Sequence, residues 1–193
     1  MKPKILLITG FEPFGSEVEN PSWQAVSLLP DSIGAWTLFK LLLPVTFSDA
    51  AALAIETAQR IHADAVLCVG LAAGRNAVTP EAVGLNLRDA SIPDNAGRQP
   101  KDEPIDPNGL AAYFSTLPVR RMTEAIARVG IPAKISYSAG TYVCNDLLYT
   151  LLRRFNGSPV RAAFIHVPLA SCIPVSDSAR ALTAAIEAID PAE

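Results

Sequence analysis

Several features that announce a function are scarce or missing in this chain. Its 193 residues hold only three cysteines and two histidines. Cys68, Cys144 and Cys172 are odd in number and far apart, with no C-x-x-C pair and no Cys/His cluster. That pattern excludes a disulfide framework and a structural zinc site, and it fits a reducing compartment. There is no basic run, and the formal net charge is −3. Nucleic acid and anionic membranes, which both require clustered Lys and Arg, are therefore not expected as partners. No apolar stretch is long enough to cross a bilayer or to form a signal-peptide core. MKPKILLITG is apolar only from Ile5 to Ile8, and LFKLLLPV is broken by Lys40. A soluble cytoplasmic protein is expected, acting on a small or neutral substrate without cofactor or metal.

What is present suits a packed globule. Half of the residues are apolar and 18% are charged, which is far from the composition of a disordered chain. A chain of this length buries roughly 70% of its unfolded surface without covalent staples. One domain, residues 1–193, is expected, since no repeat, low-complexity tract or long linker divides the sequence.

Apolar runs predict buried strands over 4–9, 36–45, 64–70, 133–137 and 161–167, with a strand or hairpin over 82–87. Helical patterns fall between them, over 22–29 with Ser22 as cap, 48–61 with Ser48 as cap, 119–129, 144–155 and 176–189. This alternation predicts an α/β fold, a three-layer α/β/α sandwich around a mostly parallel sheet. Residues 89–108 carry prolines at 93, 100, 104 and 107 and have no period, which marks a functional or interface loop.

Open α/β sheets bind ligands beyond the carboxyl ends of their strands. Thr9-Gly10-Phe11, Gly70 to Arg75, Thr141 to Cys144 and His166 all fall at such ends, so parallel strands would gather them at one edge. Thr141 is placed as a cap, which sets Cys144 in the first turn of the following helix, where the macrodipole favours a thiolate and lowers its pKa. The alternative is a buried structural thiol, since free cysteine is among the most buried residue types. His166 in FIHVP offers an imidazole as general base and acid, against the alternative of a core histidine satisfied by the backbone. His62 closes a helical pattern and is given no catalytic role. A carboxylate should orient the imidazole. Glu81 and Asp94 are both candidates, and the residues alone leave the choice open. Phe11 and Phe14 in TGFEPFG either tuck under their loop or wall an apolar pocket. GLAAGR lacks the spacing and the lysine of a P-loop.

The blocks ITGFEPFG with NPSW, VGLAAGR, PEAVGLN, DASIPDNAG, AAYFSTLPV, SAGTYVCNDLLY and FIHVP run in order along most of the chain. Together they resemble the pyroglutamyl peptidase I family, cysteine peptidases that remove N-terminal pyroglutamate from peptides. The resemblance implies Cys144 as nucleophile, His166 as base and Glu81 as the group orienting it. It also implies a substrate-binding set: Phe11 and Phe14 in a pocket for the lactam ring, Tyr142 and Val143 beside the nucleophile, and Arg75 near the active site, where it would help backbone N–H groups hold the oxyanion. An α/β/α sandwich, a cytoplasmic homo-oligomer (a tetramer), a small peptide substrate and independence from metal are further implications. The chain departs from the family's usual GQAGGR at Leu71 and Ala73, from ERVAIN at Ala82 and Gly84, and from CNH at Asp146; Asp146 would raise the thiol pKa slightly if it faced inward. Two other functions stay open at this point: a catalytically silent small-ligand binder on the same fold, and a nucleoside phosphorylase, which shares the α/β/α plan.

Overall fold

The computed structural model describes residues 4–15 and 18–190. Along the chain the elements are β1 (Lys4–Phe11), α1 (Pro21–Ser27), β2 (Ser32–Ile33), β3 (Trp36–Leu43), α2 (Asp49–Arg60), β4 (Ala65–Leu71), β5 (Thr79–Glu81), β6 (Val83–Leu85), β7 (Ala112–Phe114), α3 (Val119–Arg128), α4 (Val143–Arg154), β8 (Arg161–Val167) and α5 (Val175–Glu187). Six strands form one sheet in the order β2-β3-β1-β4-β8-β5. Strands β3, β1, β4 and β8 are mutually parallel, while β2 and β5 run antiparallel at the two edges.

Period-two alternation along the central strands divides the core into two layers. Leu6, Ile8, Leu67, Val69, Ile165 and Val167 pack with α1, α3 and α5 through Val26, Met122, Ile126 and Leu182. Leu7, Phe11, Val66, Cys68 and Phe164 pack with α2 and α4 through Ala50, Ala54, Leu147, Leu148 and Leu151. Each fully buried large aliphatic side chain contributes about 1.5–3 kcal/mol. With both faces covered, the central strands read as continuous apolar runs, which is why the sequence revealed them. The α/β/α sandwich with a mostly parallel sheet is the observed architecture.

Several local expectations give way to different hydrogen-bonding solutions. Residues 133–137 form no strand of the sheet; they lie beside β5 and touch it only through isolated bridges, Val78 to Ala133 and Glu81 to Ser136. The N–H of Val78 donates to Pro132 O and that of Ala82 to Ser136 O. The donor needed between them falls on Pro80, which has none. The region expected as one strand or hairpin over 82–87 is split: β5 joins the main sheet, and the chain then leaves it so that β6 pairs with β7 in a separate two-stranded sheet.

The cap of α1 is Asn20, not Ser22; its Oδ1 accepts from the Ser22 N–H at 3.0 Å, with Pro21 at the first helical position, where a missing N–H is harmless. Ser48 occupies the cap position of α2 but makes no capping bond, and its backbone has φ 69°. Two groups hold that left-handed residue in place: Asp146 Oδ2 accepts its N–H at 2.8 Å, and Arg88 Nη2 donates to its Oγ at 3.1 Å. His62, at φ 53°, lies just past the end of α2, in the turn that leads into the amino end of β4.

Candidate active site

The carboxyl ends of β1, β4 and β8 open on a cavity of about 200 Å³. Its walls include Phe11 and Phe14 from the end of β1, Leu71, Ala72 and Arg75 from the end of β4, Tyr142, Val143 and Cys144 from the start of α4, and His166 from β8. The four segments expected to converge do so. Phe11 is the last residue of β1 and not part of the loop, and its N–H donates to Ser22 Oγ at 3.1 Å.

Cys144 is the second residue of α4. Thr141 does not cap this helix: Tyr142 holds the cap position without a side-chain bond, and Thr141 Oγ1 donates instead to Asp89 O at 2.7 Å. Among the described residues no backbone oxygen takes the N–H of Val143 or Cys144, and that of Cys144 meets its own sulfur, so two donors at the positive end of the helix lie beside the thiol. The position of the helix is fixed by Asn145, fully buried, whose Oδ1 accepts from Leu85 N at 2.8 Å and whose Nδ2 donates to Leu85 O and Leu87 O, both at 2.9 Å. Sequence reasoning missed Asn145, although a buried amide directly after a nucleophile candidate was visible in VCND.

Gly70 sets the spacing between thiol and imidazole. It stands opposite His166 in the β4–β8 register, and a Cβ placed on it would lie 3.0 Å from Cys144 Sγ and 2.7 Å from the Phe164 ring. Any side chain there would displace one of them, so close approach requires glycine. His166 falls in the alternating set of β8 that faces α4, the face that Cys144 also occupies. Its Nδ1 lies 2.7 Å from Glu81 Oε1. An ionised carboxylate only accepts, so the proton is on Nδ1 and Nε2 is the free lone pair.

Glu81 sits at the end of β5 with no solvent exposure. Asp94, the other carboxylate candidate, is used up structurally: its oxygens accept from the N–H groups of Phe47 at 2.8 Å, Ala96 at 3.0 Å and Arg98 at 2.8 Å. The 89–108 segment braces the cavity rim. Asn95 Nδ2 donates to Glu12 Oε1 at 2.7 Å, and the Tyr142 hydroxyl donates to Pro93 O at 3.0 Å. The Tyr142 ring meets Phe47 edge-on, with centroids 5.3 Å apart.

Electrostatics revise the picture of the thiol. Burial pushes Cys144 up to about 12, the charges of Glu81 and Cys68 push the same way, and Arg75 opposes them. The helix terminus therefore does not produce a resting thiolate; desolvation outweighs a dipole effect of about 0.3–1 kcal/mol. Burial also lowers His166 below the ordinary histidine value; the hydrogen bond and charge of Glu81 oppose this, and the charge of Arg75 adds to it. Burial raises the Glu81 carboxyl, but the hydrogen bond and charge of His166, followed by Ser136 and Arg75, outweigh it and hold the group below the usual carboxylate range. At neutral pH the trio is a neutral thiol, a neutral imidazole and a carboxylate. Asp146 takes no part: fully buried, it accepts from Arg88 Nε at 2.7 Å and from Ser48 N. Arg75 does not point freely at a bound oxyanion either, since its Nη1 donates to Glu81 Oε1 at 2.5 Å and its Nη2 to Ser138 O at 2.9 Å. Among the described residues no group of three His, Cys, Asp or Glu side chains could hold a metal ion.

Sequence reasoning also passed over Asn20, which lines the cavity and is 4% exposed. Its Oδ1 accepts from both Ser22 N and Ser22 Oγ, and its Nδ2 donates to Glu12 O at 2.9 Å, which leaves one amide hydrogen unused. The capping signal N-P-S could have revealed its orientation.

An apolar cavity at the strand ends, with a thiol on one wall and a carboxylate-held imidazole on another, has the layout of an α/β/α cysteine peptidase. Comparisons with known proteins agree. The pyroglutamyl peptidase family profile matches residues 4–190, and the chain belongs to that family. It is 46% identical over 196 aligned positions to a pyrrolidone-carboxylate peptidase of Levilactobacillus brevis, with 95% of this chain and 96% of that one covered. A Staphylococcus saprophyticus protein of the same name is 50% identical, covering 84% of this chain and 78% of its own. The crystal structure of pyroglutamyl peptidase I from Bacillus amyloliquefaciens superposes with a TM-score of 0.93 at 38% identity, covering 96% of each chain. Pyrrolidone carboxyl peptidase from Thermococcus litoralis superposes at 0.90 with 36% identity, covering 96% of this chain and 93% of its own.

Proposed function

We propose that the protein removes N-terminal pyroglutamate from peptides through a thioester on Cys144, with His166 as general base and acid and Glu81 as the group that orients it. The observation that carries this reading is the 2.7 Å contact of His166 Nδ1 with Glu81 Oε1, made where the imidazole and the Cys144 thiol line one apolar cavity. The resting pair is neutral, so proton transfer from Sγ to His166 Nε2 accompanies attack on the pyroglutamyl carbonyl. The N–H groups of Val143 and Cys144 supply donors for the oxyanion. The imidazolium, steadied by Glu81, then protonates the departing amine. Water, deprotonated by His166, hydrolyses the thioester and frees pyroglutamate.

Specificity follows from the walls. Phe11, Phe14, Tyr142 and Val143 suit a neutral five-membered lactam, whereas a charged α-amino terminus would lose its hydration there without a partner. The remaining Asn20 amide hydrogen is available to the ring carbonyl. Turnover of a chromogenic pyroglutamyl amide tests the proposal; no release by folded, reduced protein would overturn it in favour of a silent binder.

The whole chain is read as one domain, because both apolar layers pack against one sheet. Among the described residues no helix is long and apolar enough to cross a membrane. Cytoplasmic location is proposed from three free cysteines, and assembly as a tetramer from the family resemblance. Leu110 and Phe114, exposed by 63% and 73%, are apolar surface that such an assembly could cover.

A further inference from the structure

Arg75 is tied to the site in a way that substrate binding does not require. Its side chain, 24% exposed, turns inward from the loop after β4. Nη1 donates to Glu81 Oε1 at 2.5 Å and also to Thr79 Oγ1, while Nη2 donates to Ser138 O at 2.9 Å. The imidazole of His166 uses the same carboxylate oxygen at 2.7 Å. Two cationic or potentially cationic groups thus share one oxygen of a fully buried carboxylate.

We propose that Arg75 is a positioning residue that divides Glu81 Oε1 with His166, so that the imidazole is oriented by the carboxylate yet left free as a base for Cys144. The need arises from the surroundings. A buried carboxylate with no other counter-charge stabilises a proton on the neighbouring imidazole, and an imidazolium cannot accept the thiol proton. Arg75 supplies that counter-charge at the same carboxylate oxygen. The charged groups acting on His166 are Glu81 from β5 and Arg75 from the turn after β4; the Cys144 thiol on α4 shares its cavity, and the Phe164 ring lies 4.7 Å away. Arg75 is the permanent cation among them. Its second arm holds Ser138 O, in the segment leading to Cys144, so one guanidinium fixes both the carboxylate and the approach to the nucleophile.

The inference rests on the catalytic reading of Cys144, His166 and Glu81, and its test reads the imidazole directly. The chain has only two histidines, so NMR titration of the ring protons gives two curves, and His62→Gln identifies which belongs to His166. In Arg75→Gln or Arg75→Met the His166 midpoint is expected to rise by about one pH unit, since a neighbouring charge moves a buried group by that order. The acid limb of kcat/KM should rise with it, giving about a tenfold loss on that limb and recovery at higher pH. Arg75→Lys, which keeps the charge, should restore the midpoint to near the starting value. An unchanged His166 midpoint in either neutral variant that folds overturns the proposal, as does a rise in KM alone with the pH profile unmoved, which would assign Arg75 to substrate. Absence of turnover by the unsubstituted enzyme would count against the catalytic reading while leaving the NMR result on Arg75 intact.

Discussion

Cys68 and Cys144 are both pushed up to about 12 by burial, yet they occupy opposite chemical situations. Cys68 lies in the middle of β4, fully enclosed, with Thr9 on one neighbouring strand and Phe164 on the other. Cys144 lies at the mouth of α4, half-buried, on a cavity it shares with His166 and next to the first two N–H groups of the helix. Ease of ionisation does not separate them. Access, a base with a free lone pair and preorganised donors do, and all of these come from where the topology places a residue.

Removing the two sulfurs in turn is the sharpest way to break that contrast. Cys144→Ser is expected to lower turnover of a pyroglutamyl amide by at least about 10³-fold, with little change in thermal unfolding. Cys68→Ser should keep turnover within about threefold while losing about 1–3 kcal/mol of stability, because a hydroxyl replaces an apolar thiol in a closed space. Equal inactivation by both, matched by equal loss of folding, would show that the sulfurs differ only in how they pack.

A smaller effect separates the two buried carboxylates that the sequence could not rank. Glu81→Gln should lower kcat by about 10²-fold, since the acceptor-only carboxylate is replaced by an amide whose NH2 can donate to Nδ1 and select the wrong tautomer. Asp94→Asn should leave kcat within a few-fold and loosen the 89–108 segment, measured as faster amide exchange at Ala96 and Arg98. The reverse ranking would move the orienting role to Asp94.

Access can also be read chemically. Iodoacetamide should label exposed Cys172 and cavity-facing Cys144 in the native protein and reach Cys68 only after unfolding, as mass spectrometry of the peptides would show. 2-Pyrrolidone should slow labelling of Cys144 by several-fold and leave Cys172 unaffected. Protection of both would mean that the lactam does not occupy the cavity.

The parts legible in the sequence were those dictated by periodicity. Continuous apolar runs marked the four central strands, and the ends of three of them brought Phe11, Arg75 and His166 to one edge; Cys144 was placed there through the expected strand over 133–137, which does not form. Resemblance, not spacing, put Glu81 ahead of Asp94, because the sequence pattern reads both as irregular chain and only three-dimensional placement shows that Glu81 ends β5 while Asp94 spends its oxygens on Phe47, Ala96 and Arg98. The local errors share a cause: a side chain that looks like a cap was used elsewhere. Ser22 supports Phe11, Thr141 holds Asp89, and Ser48 is gripped by Asp146 and Arg88. The expected strand over 133–137 failed at a single missing donor, Pro80, which pattern matching on the other segment could not see. The thiol's pKa was misjudged because the helix dipole is visible from local sequence and desolvation is not.

The smallest expected effect concerns stability at alkaline pH. Cys68 has a folded-state pKa raised from 9.0 to about 12, so the fold favours the protonated thiol. The sign follows from linkage: this contribution is fully present below the unfolded pKa near 9 and is lost as pH rises from there toward about 12. At pH 10, one unit above the unfolded value, the loss amounts to about 1.4 kcal/mol. Cys68→Ala removes the titration at the cost of a small cavity, so it should be less stable than the unsubstituted protein at pH 7 and close part of that gap at pH 10. Cys144→Ala should narrow the gap less, because a thiol that opens on a cavity is partly solvated and its ionisation disturbs the fold less. Urea midpoints of the three proteins at pH 7 and pH 10 check both statements. An equal alkaline gain for the two alanine variants would mean that the cavity excludes water as completely as the sheet does, and the greater reactivity assigned to Cys144 would then have to arise only when substrate binds.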